Sequence, residues 1–138
     1  MPRPFVYCSK RFVMRGFTLI EILIAVAIIG ILVAIAVPQY RGSIDNANLN
    51  SAKNNLRAIY MKQQEYLTNN NVYYNTGAAC GDSATDINTN LFGGQSIIQD
   101  DYFTYCITQT TTTDFTAQAT NTSSGATYTI DDSNVTSW

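Results

Sequence analysis

Histidine is absent from this 138-residue chain, tryptophan occurs once, and cysteine and proline occur three times each. Without histidine, the commonest general base and the commonest nitrogen ligand for a metal are both missing. There is no glycine-rich phosphate loop, and no serine or cysteine has a recognisable base near it in sequence. Neither catalysis nor a bound cofactor is expected. Positive charge is scarce and lopsided: Arg3, Lys10, Arg11 and Arg15 precede Gly16, Arg41, Lys53, Arg57 and Lys62 follow it, and nothing basic lies beyond Leu67. Every Asp and Glu lies after Gly16. A chain whose second half carries acids and no cation is not expected to take nucleic acid as a partner.

What the chain does have is a long apolar run. From Phe17 to Val37 only Thr18, Glu21 and Gly30 are neither large and apolar nor alanine. At about 1.5 Å per residue the run is roughly 31 Å long as a helix, enough to cross the hydrocarbon core of a bilayer. A bare carboxylate there costs roughly 2.5 to 3.5 kcal/mol on insertion scales, so Glu21 is expected to have a partner and a purpose. A secretory signal peptide fits poorly, because the run exceeds the usual h-region and no small-residue cleavage site follows promptly. An ordinary anchor whose Glu21 snorkels to the interface is the other plain reading, since Glu21 lies one turn from the start.

The stretch Gly16-Phe17-Thr18-Leu19-Ile20-Glu21, with Gly30 and Pro38 in the helix behind it, resembles the type IV pilin family and the related pseudopilins of type II secretion. The resemblance implies that a prepilin peptidase cuts between Gly16 and Phe17 and methylates the new amine of Phe17. Cleavage creates an amine one helical turn from Glu21, at i to i+4. In a filament the amine of one subunit would meet Glu21 of another, and a buried charge pair is better understood as a registry device than as a source of net stability. Residues 1–16 are then a basic leader, held in the cytoplasm by its charge. The leader departs from the family's short, very basic form, because Phe5, Val6, Tyr7, Phe12 and Val13 are interspersed. Its removal would leave 122 residues with four basic and ten acidic side chains, a formal charge of −6.

The expected fold class is α+β, a long N-terminal helix packed against a small antiparallel sheet. Residues 17–43 form its transmembrane and assembly half, and residues 44–138 a periplasmic or extracellular globular head. Ile44, Ala47, Ala52, Leu56, Ile59, Tyr66 and Leu67 recur at spacings near three and four, which predicts an amphipathic continuation of the helix. Pro38 removes a backbone donor, and with Gly30 and Gly42 nearby a kink is expected there. Asn69-Asn70-Asn71 should end the helix. Residues 102–108, 114–120 and 126–131 alternate with a period of two and are rich in Thr, Tyr, Phe and Ile, so they read as strands joined by turns at 110–113 and 121–125. Residues 72–101 are too irregular to assign.

Cys8 would leave with the leader, and Cys80 and Cys106 remain as an even pair in an oxidising compartment, so a disulfide is expected. Closing that loop would contribute roughly 3.5 kcal/mol on the chain-entropy model. Asp100-Asp101 and Asp131-Asp132 could offer oxygens to calcium, though adjacent aspartates are more often solvated charge. The resemblance implies a structural subunit of a type IV pilus, a minor pilin rather than the major one. Its partners would be other pilin subunits, through the N-terminal helix, the prepilin peptidase and methyltransferase, and the inner-membrane assembly machinery. It would sit in the inner membrane before assembly and in the extracellular filament afterwards. The alternatives are a type II secretion pseudopilin, whose major form binds calcium and lacks a disulfide, and a tip pilin that captures DNA or adheres to a surface.

Overall fold

A computed structural model describes residues 16–77, 80–99 and 101–138. The expectations for the basic leader, Cys8 and Asp100 lie outside the described residues. The described elements run α1 (Leu19–Asn70), α2 (Ala84–Leu91), β1 (Phe103–Thr108), β2 (Thr116–Asn121) and β3 (Thr127–Asp131). The chain divides into two compact units, 1–41 and 42–138.

In the first unit the apolar residues of α1 stand exposed on every side, among them Leu19, Leu23, Ile28, Leu32 and Ile35. This part of α1 is long and apolar enough to cross a membrane, and none of it is buried. The helix contains Pro38 and continues through it.

In the second unit α1 supplies one stripe to a core. Ala52, Leu56, Ile59 and Gln63 are fully buried, at the alternating four- and three-residue spacing of a single helix face. Leu49, Tyr60, Tyr66 and Leu67 flank that stripe half-buried. Ile44 and Ala47, expected on the same stripe, are exposed. Cover begins at Asn48 and Leu49, about one turn later. The helix ends as the asparagines suggest: Asn71 adopts φ 59° and its amide donates to the Leu67 carbonyl at 2.8 Å, a left-handed C-terminal cap.

Opposite the helix lies an antiparallel meander in the order β1-β2-β3. Its inward face is built from large residues on the outer strands and small ones in the middle. Tyr105 stands across from Ala119, which stands across from Tyr128; Ile107, Ala117 and Ile130 make the next row. Two alanines on β2 leave room for the bulk on either side, which is how a small core reaches interior packing density. Asn55 of α1 donates from Nδ2 to the Tyr105 hydroxyl at 3.0 Å. Phe115, fully buried just before β2, packs in a tilted arrangement against Tyr73 at 4.8 Å between ring centres and against Tyr60 at 6.2 Å.

The two expected turns have the chemistry their residues suggest. Asp114 accepts from the amides of Thr110 and Thr111, both at 2.8 Å, and Asn121 accepts from Ser123 and Ser124 before Gly125 at φ 71°. Within the unassigned stretch 72–101 the structure has α2. It buries Ile87 and Leu91, at i and i+4, together with Asn88. Asn88 then pins the chain beyond it: Oδ1 accepts from Ile97 at 3.1 Å and Ile98 at 2.8 Å, while Nδ2 donates to the Ile98 carbonyl at 2.9 Å.

Candidate processing and assembly site

Gly16, Phe17 and Thr18 precede α1 as exposed chain outside regular secondary structure, and Phe17 is 76% exposed. Thr18 is the N-cap of the helix. Its carbonyl accepts from the amides of Glu21 at 3.1 Å and Ile22 at 3.4 Å, and its Oγ1 accepts from the Glu21 amide at 3.3 Å. That is one half of a capping box, Thr-x-x-Glu, laid directly over the candidate assembly residue. The sequence reading missed it, although Thr18 three positions before Glu21 at the head of an apolar run is the recognised signature. Glu21 lies in the first turn, where a negative charge complements the helix dipole. Its carboxylate is exposed and takes no partner among the described residues. The site thus presents an exposed segment, a defined helix start and an acid without a partner among the described residues, in that order.

The head carries no comparable cluster. Among the described residues no group of three His, Cys, Asp or Glu side chains could hold a metal. Asp131, one of the calcium candidates, is committed to its own turn, with Oδ1 accepting from Ser133 at 3.0 Å and Val135 at 2.8 Å. Cys80 and Cys106 are bonded, with Cα atoms 5.3 Å apart. Cys106 is buried and Cys80 exposed. The bridge sits amid a lattice of hydrogen bonds that covers the free edge of β1. The Thr76 amide donates to the Ile107 carbonyl and the Ser83 amide to the Tyr105 carbonyl, both at 2.9 Å. The free edge of β3 is covered too, by Thr136 bridging Ile130 and by the Ser137 amide donating to the Thr129 carbonyl at 3.1 Å. Neither edge is left as a template for further pairing.

Gln63 is the buried polar residue of the helix face, and its amide holds the segment that follows the helix. Nε2 donates to the Tyr74 carbonyl at 2.6 Å, and Oε1 accepts from the Tyr74 amide at 2.9 Å. Burial raises the Tyr74 phenol above its ordinary value, and the nearby Asp86 charge adds to that. The cations of the head all lie on α1. Lys62 pairs with Glu65 at 2.7 Å on the surface, and Lys53 stands 6.0 Å from the centre of the Trp138 ring. Arg57 follows Lys53 by one turn and is exposed.

A long apolar helix capped at Thr18, with a three-stranded antiparallel sheet packed on its far half, is the architecture of the pilin-like class of membrane-anchored filament subunits. Residues 12–37 match the prokaryotic N-terminal methylation motif, and residues 38–132 match the family described as type IV minor pilin ComP, DNA uptake sequence receptor. The chain belongs to this family of type IV pilins. It is 46% identical over 59 residues to the type IV major pilin protein PilA of Myxococcus xanthus, covering 43% of this chain and 27% of that one. To the fimbrial protein EcpC of Eikenella corrodens it is 40% identical over 73 residues, 53% of this chain and 48% of the relative. To the type II secretion system core protein G of Pseudomonas aeruginosa it is 43% identical over 61 residues, 44% and 43% of the two chains. The chain thus aligns with a quarter to a half of the length of these relatives. No solved structure matches. The chain is a structural subunit of the pilin or pseudopilin kind.

Proposed function

We propose that the chain is a minor pilin of a type IV pilus, assembled after cleavage between Gly16 and Phe17 and methylation of Phe17. The observation that carries this reading is the capped helix start, with its exposed acid at Glu21 and uncovered apolar surface behind it. Such a surface needs lipid before assembly and neighbouring helices after it. The leader faces the cytoplasm and the head the periplasm, in keeping with the basic residues before Gly16. Glu21 meets the Phe17 amine of another subunit, and Pro38 is where the helix bends on packing into the filament. The role is structural and non-enzymatic, and the partners are other pilin subunits, the prepilin peptidase and the inner-membrane assembly machinery. Minor rather than major standing is supported by the small sheet, by the early disulfide and by the description of the matching family.

The test is mass spectrometry of sheared filaments. The chain should begin at Phe17 with a methylated amine, and Glu21→Val should insert in the membrane yet be depleted from filaments. An assembled chain that begins upstream of Phe17, or equal incorporation of Glu21→Val, would overturn the reading.

A second reading is favoured by one observation, that the matching family's description names a DNA uptake sequence receptor. Lys53 and Arg57, one turn apart with the Trp138 ring beside Lys53, would be the residues to carry it here, by phosphate contact and stacking. Against it stands the want of any cation beyond Lys62. Fluorescence anisotropy with labelled duplex at two salt concentrations decides: a salt-dependent affinity lost in the Lys53→Ala, Arg57→Ala double variant supports it, and no binding at low salt ends it.

A further inference from the structure

The head contains two Asn-x-Ser/Thr tripeptides, Asn121-Thr122-Ser123 and Asn134-Val135-Thr136, the acceptor pattern of amide-linked glycosylation. The structure treats them differently. Asn121 is half-buried at the end of β2, and its side-chain carbonyl is occupied by the Ser123 and Ser124 amides at 3.0 and 2.8 Å. Asn134 sits at the exposed turn after β3 with φ 60°, its backbone amide donating to the Asp131 carbonyl at 3.0 Å. That turn is held without the Asn134 side chain, because Asp131 Oδ1 accepts from Ser133 and Val135. The Asn134 carboxamide has no partner among the described residues. Val135 beside it is 62% exposed.

A left-handed backbone accounts for asparagine or glycine at position 134. It does not account for a hydroxyl two residues on, and the Thr136 hydroxyl makes no hydrogen bond among the described residues. Residues 133–137 meet the rest of the head along the outer edge of β3, through the Ile130–Thr136 bridge and the Thr129–Ser137 hydrogen bonds. Such a segment can open locally at small cost and present an extended acceptor to an enzyme.

We propose that Asn134 is the acceptor of an N-linked glycan, transferred from a polyprenyl-diphosphate-linked saccharide once the head has been exported. In that step Nδ2 of Asn134 bonds to the anomeric carbon of the saccharide. The bond from that carbon to the diphosphate oxygen breaks, and polyprenyl diphosphate leaves with the electron pair. One amide proton passes to a base on the transferase, and no oxidant or reductant is needed. The proposal rests on export of the head, so the test is read only on full-length molecules whose Cys80–Cys106 bridge is closed. The chain is co-expressed with a periplasmic oligosaccharyltransferase and its lipid-linked donor, digested with chymotrypsin, and the peptide following Tyr128 is weighed. Wild type and Asn121→Gln should carry the saccharide mass on Asn134. Asn134→Gln and Thr136→Val should lose it, and Thr136→Ser should keep it. An unmodified Asn134 in bridged wild type, or a saccharide that persists in Asn134→Gln, would overturn the assignment.

Discussion

Replacing Gln63 by leucine should destabilise the head more than any other isosteric change on the buried face of α1. The Gln63 side chain makes two hydrogen bonds to the backbone of one residue, at 2.6 Å to the Tyr74 carbonyl and 2.9 Å from the Tyr74 amide. Leucine fills the volume but leaves both backbone groups without a partner. Each buried unsatisfied group costs about 1 to 3 kcal/mol, and Tyr74 is only half-buried, so water recovers part of the loss. The net cost is about 2 to 4 kcal/mol, a large share of a small domain's stability. For a head of this size that is a fall of roughly 10 to 30 °C in Tm. Gln63→Glu separates hydrogen bonding from packing. A protonated glutamic acid can still donate to the Tyr74 carbonyl, but its carboxylate cannot, and burial disfavours the charge, so its folded pKa is raised. The variant's stability is then fully present below the unfolded carboxylate pKa and lost as pH rises through the raised folded value. Thermal melts of the soluble head from Asp45 onward, from acid to neutral pH, measure both effects. A Gln63→Leu head as stable as wild type, or a Gln63→Glu deficit indifferent to pH, would refute the reasoning.

Three further outcomes are expected. Cys80→Ser and Cys106→Ser should each lower stability by about 3 kcal/mol, and the double variant should be no worse than either, since all remove one loop constraint; a melt indifferent to reductant would contradict this. The amides of Thr111 and Thr110 hold the Asp114 carboxyl below its ordinary value, so its contribution is present above the unfolded pKa and lost as pH falls through the folded one. Asp114→Asn should therefore be less stable than wild type near neutrality and match it at low pH, which paired melts at the two extremes check. Gly16→Val should accumulate as an uncut membrane precursor, visible as a larger band in the membrane fraction.

The helix and the sheet were legible because both rest on local periodicity. Ala52, Leu56 and Ile59 repeat at helical spacing and are the residues found buried, and the three Thr- and Tyr-rich segments became β1 to β3 within a residue or two of their expected ends. What stayed hidden depends on partners far away in sequence. Helix α2 is eight residues long in a polar stretch, with Ile87 and Leu91 as its apolar pair, and it is held by packing against the core rather than by propensity. Gln63 is not among the apolar residues of the expected stripe, because its role exists only once residues 73–74 return to the helix. The overlong stripe at Ile44 and Ala47 failed for the converse reason: periodicity marks a face, but not how far along the helix its cover extends. Both sheet edges are closed by residues without strand character of their own, Thr76 and Ser83 on one side and 136–137 on the other.

Glu21 can now be weighed in numbers. As the acid of a helix's first turn it gains about 0.3 to 1 kcal/mol from the dipole. The capping box could add to that if the carboxylate reached back to the Thr18 amide, but the structure makes only the other half, the Glu21 amide donating to Thr18 Oγ1. Inserted at membrane depth, the same carboxylate costs about 2.5 to 3.5 kcal/mol. Capping therefore leaves roughly 2 kcal/mol unaccounted for, and an alanine or glutamine at position 21 would start the helix nearly as well at less cost in lipid. The acid is retained against that gradient only if something opposite in charge meets it. Within residues 16–37 no basic side chain exists to do so. The proposed cleavage after Gly16 would create a cation in this stretch, at Phe17, and the neutral apolar surface behind it would leave another copy of the same segment as the natural place to find that amine.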